Sequence, residues 1–312
     1  MDNLTHSLVG WALAETGLKR RTRKGLGACV LAANLPDIDV FFGWAPWAPL
    51  AMHRGFTHGL VGGVLLLPPV LAGLLWLLDR WHTERGRIAP GAAPMHFGWL
   101  LVLCWLGALT HPLLDLQNTY AVQLLSPFSE GWFHTDGLFI VSPWLLAFLG
   151  LGIWRSRVGR RARPAILALT ACVAFIAVNI GISALAWKAP EREIPYVRPD
   201  RIFAAPDALL FWRRDVVWRN DGMITHARFD PFESVTRVTD RSEPVADNMA
   251  LPVVQRAVQA TWDVQDFLAW SQLPVATTRR SGCDVTVTFG DARFSGPAMT
   301  RNFSTSVRLP DC

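Results

Sequence analysis

Phe97-Gly98-Trp99-Leu100-Leu101-Val102-Leu103-Cys104-Trp105-Leu106-Gly107-Ala108-Leu109-Thr110-His111-Pro112-Leu113-Leu114-Asp115 is the stretch on which the reading of this chain turns. From Phe97 to Leu114 it holds no Lys, Arg, Asp or Glu. A bilayer crossing takes about 20 such residues, so the stretch reads as a membrane helix. Its last turn carries His111 and Asp115, four apart and so on one helical face. Ionisable groups beside hydrocarbon are costly and usually have a functional reason to be there. One imidazole and one carboxylate on a single turn make half of a site for Zn²⁺ or Mn²⁺. Pro112 lacks the helical amide donor, a defect tolerated at membrane depth where the backbone is buried in protein or lines a cavity.

Working outward, Gly59–Leu78, Gly137–Trp154 and Pro164–Trp187 are also free of charge and long enough to span. Two shorter apolar stretches, Leu4–Leu18 and Leu26–Leu35, precede them. The composition, 51% hydrophobic and 18% charged, excludes a disordered chain. It changes at Lys188-Ala189-Pro190, and proline-punctuated sequence follows to Pro206. Beyond it, Ala208–Trp218, Met223–Asp230 and Asp284–Phe289 read as strands, with Asp221-Gly222 as a hairpin turn. Pro252–Trp270 reads as a helix with Val253, Ala257, Ala260 and Val264 on one stripe. The expected fold is an all-α polytopic membrane domain over 1–187, with four transmembrane helices plus two short N-terminal apolar helices. A linker over 188–206 and a small α+β or mostly β extramembrane domain over 207–312 follow.

Charge sets the expected orientation. Residues 1–187 hold 14 Lys/Arg against 9 Asp/Glu and account for the whole net charge of +5, whereas 188–312 hold 16 of each. This distribution argues against nucleic-acid binding, because the excess base lies between membrane segments. Residues 19–24, 80–95 and 155–163 carry 13 of the basic residues; 36–58 and 115–136 carry one, Arg54. The positive-inside rule then makes the three basic segments cytoplasmic and puts everything after Trp187 outside. Met1-Asp2-Asn3 has no basic n-region, so no secretory signal peptide is expected. Cys29, Cys104 and Cys172 read as buried small hydrophobes; Cys283 and Cys312 are able to pair if they face an oxidising compartment.

On that topology the candidate ligands converge. His6 lies at the outer end of the first short helix, and Asp37 and Asp39 of Leu35-Pro36-Asp37-Ile38-Asp39 follow the second. His53 and His58 of His53-Arg54-Gly55-Phe56-Thr57-His58 precede the next helix; His111 and Asp115 close another, and His134 and Asp136 precede the one after. All fall at one face, with Trp44, Trp47, Trp132 and Trp187 as an aromatic belt. His6, Asp37, Asp39, His53, His58, His111 and Asp115 are the candidate metal ligands, and Asp39, Asp136 and Arg54 the candidate catalytic residues. Each has a bland alternative: a satisfied core histidine for His6, a helix cap or Asx-turn for the aspartates, a headgroup contact for Arg54. Thr5 is either a partner of a ligand or an N-cap. In Asp37-x-Asp39 both carboxylates are placed to bind, or one binds while the other orients a histidine.

In this order the blocks Thr5-His6, Leu35-Pro36-Asp37-Ile38-Asp39, His53-Arg54-Gly55-Phe56-Thr57-His58 and His111-x-x-x-Asp115 resemble the YdjM-like bacterial inner-membrane proteins, described as membrane-bound metal-dependent hydrolases. The resemblance covers about residues 1–150. It implies a multi-pass protein of the bacterial cytoplasmic membrane and a metal-assisted hydrolase. The expected cofactor is one or two Zn²⁺ or Mn²⁺ ions. The expected partners are membrane lipid and an amphiphilic or lipid-linked substrate, a phosphoester or other ester, at the outer face. The alternative function is a non-catalytic metal-binding membrane protein that senses or moves an ion or scaffolds an envelope complex.

Overall fold

The packing of the first half is set by small residues. The computed structural model describes residues 1–41, 54–193, 198–294 and 303–312, and its two compact units divide chiefly after Ile180. The first unit is helical. Helix α1 (Asn3–Glu15) is capped by Asp2, whose Oδ1 accepts from the Thr5 amide at 3.0 Å. Helix α2 (Gly25–Asn34) runs straight into a 3₁₀ segment, Leu35–Phe41. A 3₁₀ turn, Phe56–His58, leads into a widened π-helical stretch, Leu60–Leu66, that continues as α3 (Leu67–Glu84). Then come α4 (Phe97–Asp115), α5 (Pro143–Gly159) and α6 (Arg163–Glu193).

Helix α2 is held against both α1 and α4 by close backbone approach. A Cβ added to Gly10 of α1 or to Gly107 of α4 would lie 2.6 Å from the same atom, the carbonyl oxygen of Cys29. Only glycine allows that approach, the usual device for packing helices in lipid. Ala28, Ala32, Leu71, Leu75, Leu100, Leu103 and Ala108 fill the adjoining core. Val9, Ala12, Leu114, Leu145, Leu149 and Cys172 fill a second one.

Three helical stretches among the described residues are long and apolar enough to cross a membrane: Leu60–Glu84, Phe97–Asp115 and Arg163–Arg192. The expected span Gly137–Trp154 is not confirmed as a fourth. Residues 137–142 are not helical; Ser142 caps the helix and Pro143 opens it, so α5 has 17 residues and is shifted toward Arg155 and Arg157. Hydropathy does not register that start signal. The two short N-terminal helices form as expected, with 13 and 10 residues.

The second unit is rich in sheet. Strands β1 (Arg201–Pro206), β2 (Arg214–Asn220), β3 (Met223–Phe229) and β4 (Val245–Ala246) form an antiparallel sheet in that order. Asp221 and Gly222, both at positive φ, make the two-residue turn that pairs Asn220 with Met223. Alternation along β2 buries both of its faces. Val216 and Trp218 pack with Ala186 and Ala189 of α6, while Val217 joins Phe203, Ile224 and Leu273. The expected linker 188–206 is therefore largely structured: α6 carries on to Glu193 through Pro190, and β1 begins at Arg201. Ala189, fully buried, belongs to this core.

Helices α7 (Pro252–Val258) and α8 (Trp262–Trp270) replace the single helix expected over Pro252–Trp270, because Thr261 turns extended and caps α8. Strands β5 (Pro274–Ser281), β6 (Asp284–Asp291) and β7 (Ser304–Pro310) form a second antiparallel sheet. A disulfide joins Cys283 in the β5–β6 turn to Cys312 after β7, with Cα atoms 5.0 Å apart.

Asp291 and Arg293 form a buried ion pair, Oδ2 to Nη2 at 2.7 Å, with the guanidinium over the rings of Phe203, Trp270 and Phe294. Burial pushes the Asp291 carboxyl up, but Arg293 and Ser271 outweigh it and hold the group below the usual carboxylate range. The pair's stabilisation is thus complete above the unfolded-state value of about 3.9 and is lost as pH falls through the lower folded-state value. Asp291→Ala leaves Arg293 buried without its partner and should cost about 3–5 kcal/mol. Thermal melts in detergent followed by circular dichroism, for wild type and variant at pH 7 and pH 3, should show the gap between them narrowing at the acid end.

Candidate metal centre

The glycine contacts that clamp α2 also deliver the ligands. His6 lies one turn before Gly10 on α1, and His111 one turn after Gly107 on α4. The two imidazoles consequently stack, with centroids 3.8 Å apart and planes at 13°. The 3₁₀ segment after α2 brings in Asp37 and Asp39. Gly62 and Gly63 of the π-helical stretch leave room for the backbone of Phe56 and Thr57, whose carbonyls would meet any Cβ there, and so seat His58. A widened helical turn of this kind often marks a functional site.

Among the described residues two overlapping groups result, His6–His111–Asp115 and Asp37–His58–His111. His58 Nε2 lies 3.2 Å from Asp37 Oδ1 and 3.5 Å from Asp115 Oδ2; His111 Nε2 lies 3.5 Å and 3.4 Å from the same two oxygens. His6 Nε2 is 3.4 Å from the other Asp115 oxygen, Oδ1. Zinc bonds of 2.0–2.2 Å in a tetrahedron put neighbouring donors about 3.3–3.6 Å apart. Three of the four cross-distances fall in that range and the fourth, His58 to Asp37, is just below it.

Proton bookkeeping points the same way. His111 Nδ1 lies 2.7 Å from the carbonyl oxygen of Ala33, which can only accept, so Nδ1 carries the proton. His111 Nε2 is buried, makes no hydrogen bond, and faces two carboxylates. A lone pair directed at acceptor oxygens is repulsive, so either a second proton on the ring or a metal ion belongs between them. His58 is oriented similarly: Nδ1 faces Asp39 Oδ2 and Thr57 Oγ1, each at 3.2 Å, and Thr57 donates to Asp39 Oδ2 at 2.5 Å. Asp39 thus lies behind the imidazole, where a carboxylate fixes the tautomer of a metal-binding histidine.

Arg54 is only 4% exposed, which removes the headgroup reading. Its guanidinium lies 3.6 Å from Asp115 Oδ1, donates to Asn118 Oδ1 at 2.6 Å and sits over the Tyr120 ring. The α-amino group of Met1 pairs with Asp115 as well. Asn118 is a participant that sequence reading missed. Its Oδ1 also accepts from the Tyr120 amide at 3.0 Å, and its buried Nδ2 makes no hydrogen bond. No local motif distinguishes it; its interest comes from Arg54, 64 residues earlier.

Asp136 is fully buried and pairs with His134 Nδ1 at 3.0 Å, outside both ligand groups. Thr5 donates to Asp2 Oδ2 at 2.6 Å and so belongs to the helix cap. His53, Trp44 and Trp47 lie outside the described residues.

A family model described as YdjM inner membrane protein matches residues 1–186, a segment that holds all of these site residues. The chain belongs to the YdjM family. That membership makes it an inner membrane protein, in keeping with its three apolar helices. No curated protein and no solved structure matches the chain.

If the centre binds an ion, elemental analysis of detergent-purified protein should find it at stoichiometric level, and His58→Ala and His111→Ala should lose it while remaining folded. Asp39→Asn should keep the ion but bind it roughly 10–100-fold more weakly in chelator competition. Unaltered metal content in the two histidine variants would exclude the site.

Proposed function

We propose that this YdjM protein is a membrane-bound metal-dependent hydrolase acting on a phosphoester or other ester of an amphiphilic, lipid-linked substrate. The observation that carries the reading is the buried His111 Nε2, which makes no hydrogen bond and lies 3.5 and 3.4 Å from the Asp37 and Asp115 carboxylate oxygens that also face His58 Nε2. Zn²⁺ or Mn²⁺, as one ion or two, would be held by Asp37, His58, His111 and Asp115, with His6 on the second oxygen of Asp115. When bound, such an ion supplies Lewis acidity and brings the pKa of a water toward neutrality.

The remaining steps fall to side chains. Arg54 and the free Nδ2 of Asn118 hold the developing negative charge on a substrate oxygen. Asp39 keeps His58 in its tautomer, an engagement that leaves it poorly suited as a base. The base is therefore assigned to Asp136, with His134 hydrogen-bonded to it. Two features support an outward-facing site in a bacterial cytoplasmic membrane crossed four times: the basic segments 19–24, 80–95 and 155–163, and the disulfide at Cys283–Cys312.

A second reading rests on the donor set. The two overlapping groups together offer more than three protein donors, and a site whose positions are all filled by protein is closed, the mark of a structural or ion-handling centre. Turnover separates the two. Metal-loaded wild type should hydrolyse generic phosphoesters or phospholipids, and Asp37→Asn should abolish this together with metal binding. Asn118→Ala and Asp136→Asn should retain the metal yet lose roughly 10²–10³-fold in kcat. Stoichiometric metal without turnover on any of the panel would favour the closed centre. A reporter fused after residue 190 should read outside the cytoplasm; a cytoplasmic signal would overturn the orientation.

A further inference from the structure

We propose that Leu209, Trp212 and Phe232 of the second unit form an apolar ridge that dips into the headgroup region of the bilayer beside the end of α6. All three sit on tight, internally bonded turns. In the β1–β2 loop the Asp207 carboxylate accepts from the Leu209 and Leu210 amides, each at 2.8 Å, and the Asp207 amide donates to the Arg213 carbonyl at 3.2 Å. After β3, Asp230 Oδ1 accepts from the Phe232 amide at 3.0 Å. Its other oxygen accepts from Arg213 Nε at 2.9 Å, which ties the two turns together. Trp212 packs edge-on against both Phe211 and Phe232, with centroids 5.2 and 5.6 Å away. The turns are therefore ordered, yet Phe232 is 81% and Leu209 63% exposed. An ordered apolar tip left in water costs hydrophobic free energy and commonly marks a protein or membrane contact.

The depth of this ridge follows from a buried bond in the same unit. Arg214, the first residue of β2, is fully buried and donates from Nε to Ser183 Oγ of α6 at 3.0 Å. Ser183 lies inside the charge-free run Pro164–Trp187, five residues before Lys188. At 1.5 Å of rise per residue that is about 7 Å below the first charge. Residues 209–212, two to five positions before Arg214, are thereby held near the level where a membrane helix leaves the hydrocarbon. Interfacial segments lie about 5–10 Å into the headgroup boundary, and Trp is enriched there. Arg213, Asp207 and Glu233 flank the tips and suit the polar side of that boundary. A bilayer is thus the occupant that both the composition and the depth of the ridge select. The proposal is independent of the metal-site reading and of which leaflet is involved.

The test places an environment-sensitive nitrobenzoxadiazole label on the full-length protein in phosphatidylethanolamine–phosphatidylglycerol nanodiscs. Cys29, Cys104 and Cys172 are buried, and Cys283 is bonded to Cys312, so an introduced thiol is the one that reacts. Labels go on Phe232→Cys, on Val235→Cys nearby and on Thr278→Cys, an exposed position in β5 of the other sheet. The labels at 232 and 235 should emit to the blue of the label at 278. They should be quenched about twofold by phospholipid carrying a spin label high on its acyl chain, as befits shallow interfacial burial. Water-like emission at 232 and 235 would overturn the proposal. So would blue-shifted emission that lipid quenchers do not reach, since protein would then cover the ridge, or equal quenching at 278.

Discussion

The carbonyl oxygen of Cys29 is the point on which the first unit depends. Glycines from two helices, Gly10 and Gly107, approach it so closely that a Cβ on either would lie 2.6 Å away. Nothing in lipid provides a hydrophobic force between helices, so close van der Waals approach has to hold them. Here it also carries chemistry, because each glycine is one helical turn from a histidine. The approach that packs α2 between α1 and α4 brings His6 onto His111 and places Asp37 beside His111. Scaffold and site share one contact, so a change in helix separation would alter both.

That convergence has an electrostatic cost. Asp37 and Asp115 are brought to the same imidazoles in a poorly hydrated region, and His111 turns a nitrogen without a hydrogen bond toward both. Arg54 and the Met1 amine offset part of the negative charge, both of them at Asp115 Oδ1. The other Asp115 oxygen and Asp37 Oδ1 face His58 and His111, where a cation would meet donors at zinc-like spacing. Ala33 and Asp39, behind the two rings, fix which nitrogen faces these oxygens.

Much of this was legible in the chain. Ionisable residues on apolar helices stand out because they are costly there, and the i, i+4 spacing of His111 and Asp115 puts them on one face. Asp221-Gly222 signalled its hairpin because few residues accept two positive φ angles in succession. The structure departs from the expected boundaries where a local start signal overrides average hydropathy. Ser142 and Pro143 delay α5, and Thr261 divides one expected helix into α7 and α8. The composition change at Lys188-Ala189-Pro190 opened the expected linker, yet α6 runs on through Pro190 to Glu193 with Ala189 packed in the core. Asn118 gave no signal, since an amide in a polar loop is ordinary until a distant arginine is found against it.

By itself, then, the order of residues determined that helices cross a membrane and that imidazoles and carboxylates cluster at their ends, because hydropathy and helical period are properties of neighbours along the chain. Which nitrogen faces which oxygen, that Asp39 lies behind His58, and that Arg54 turns inward onto Asn118 were decided only in three dimensions. Those arrangements depend on distances between segments up to about a hundred residues apart, and the glycine contacts around Cys29 set those distances.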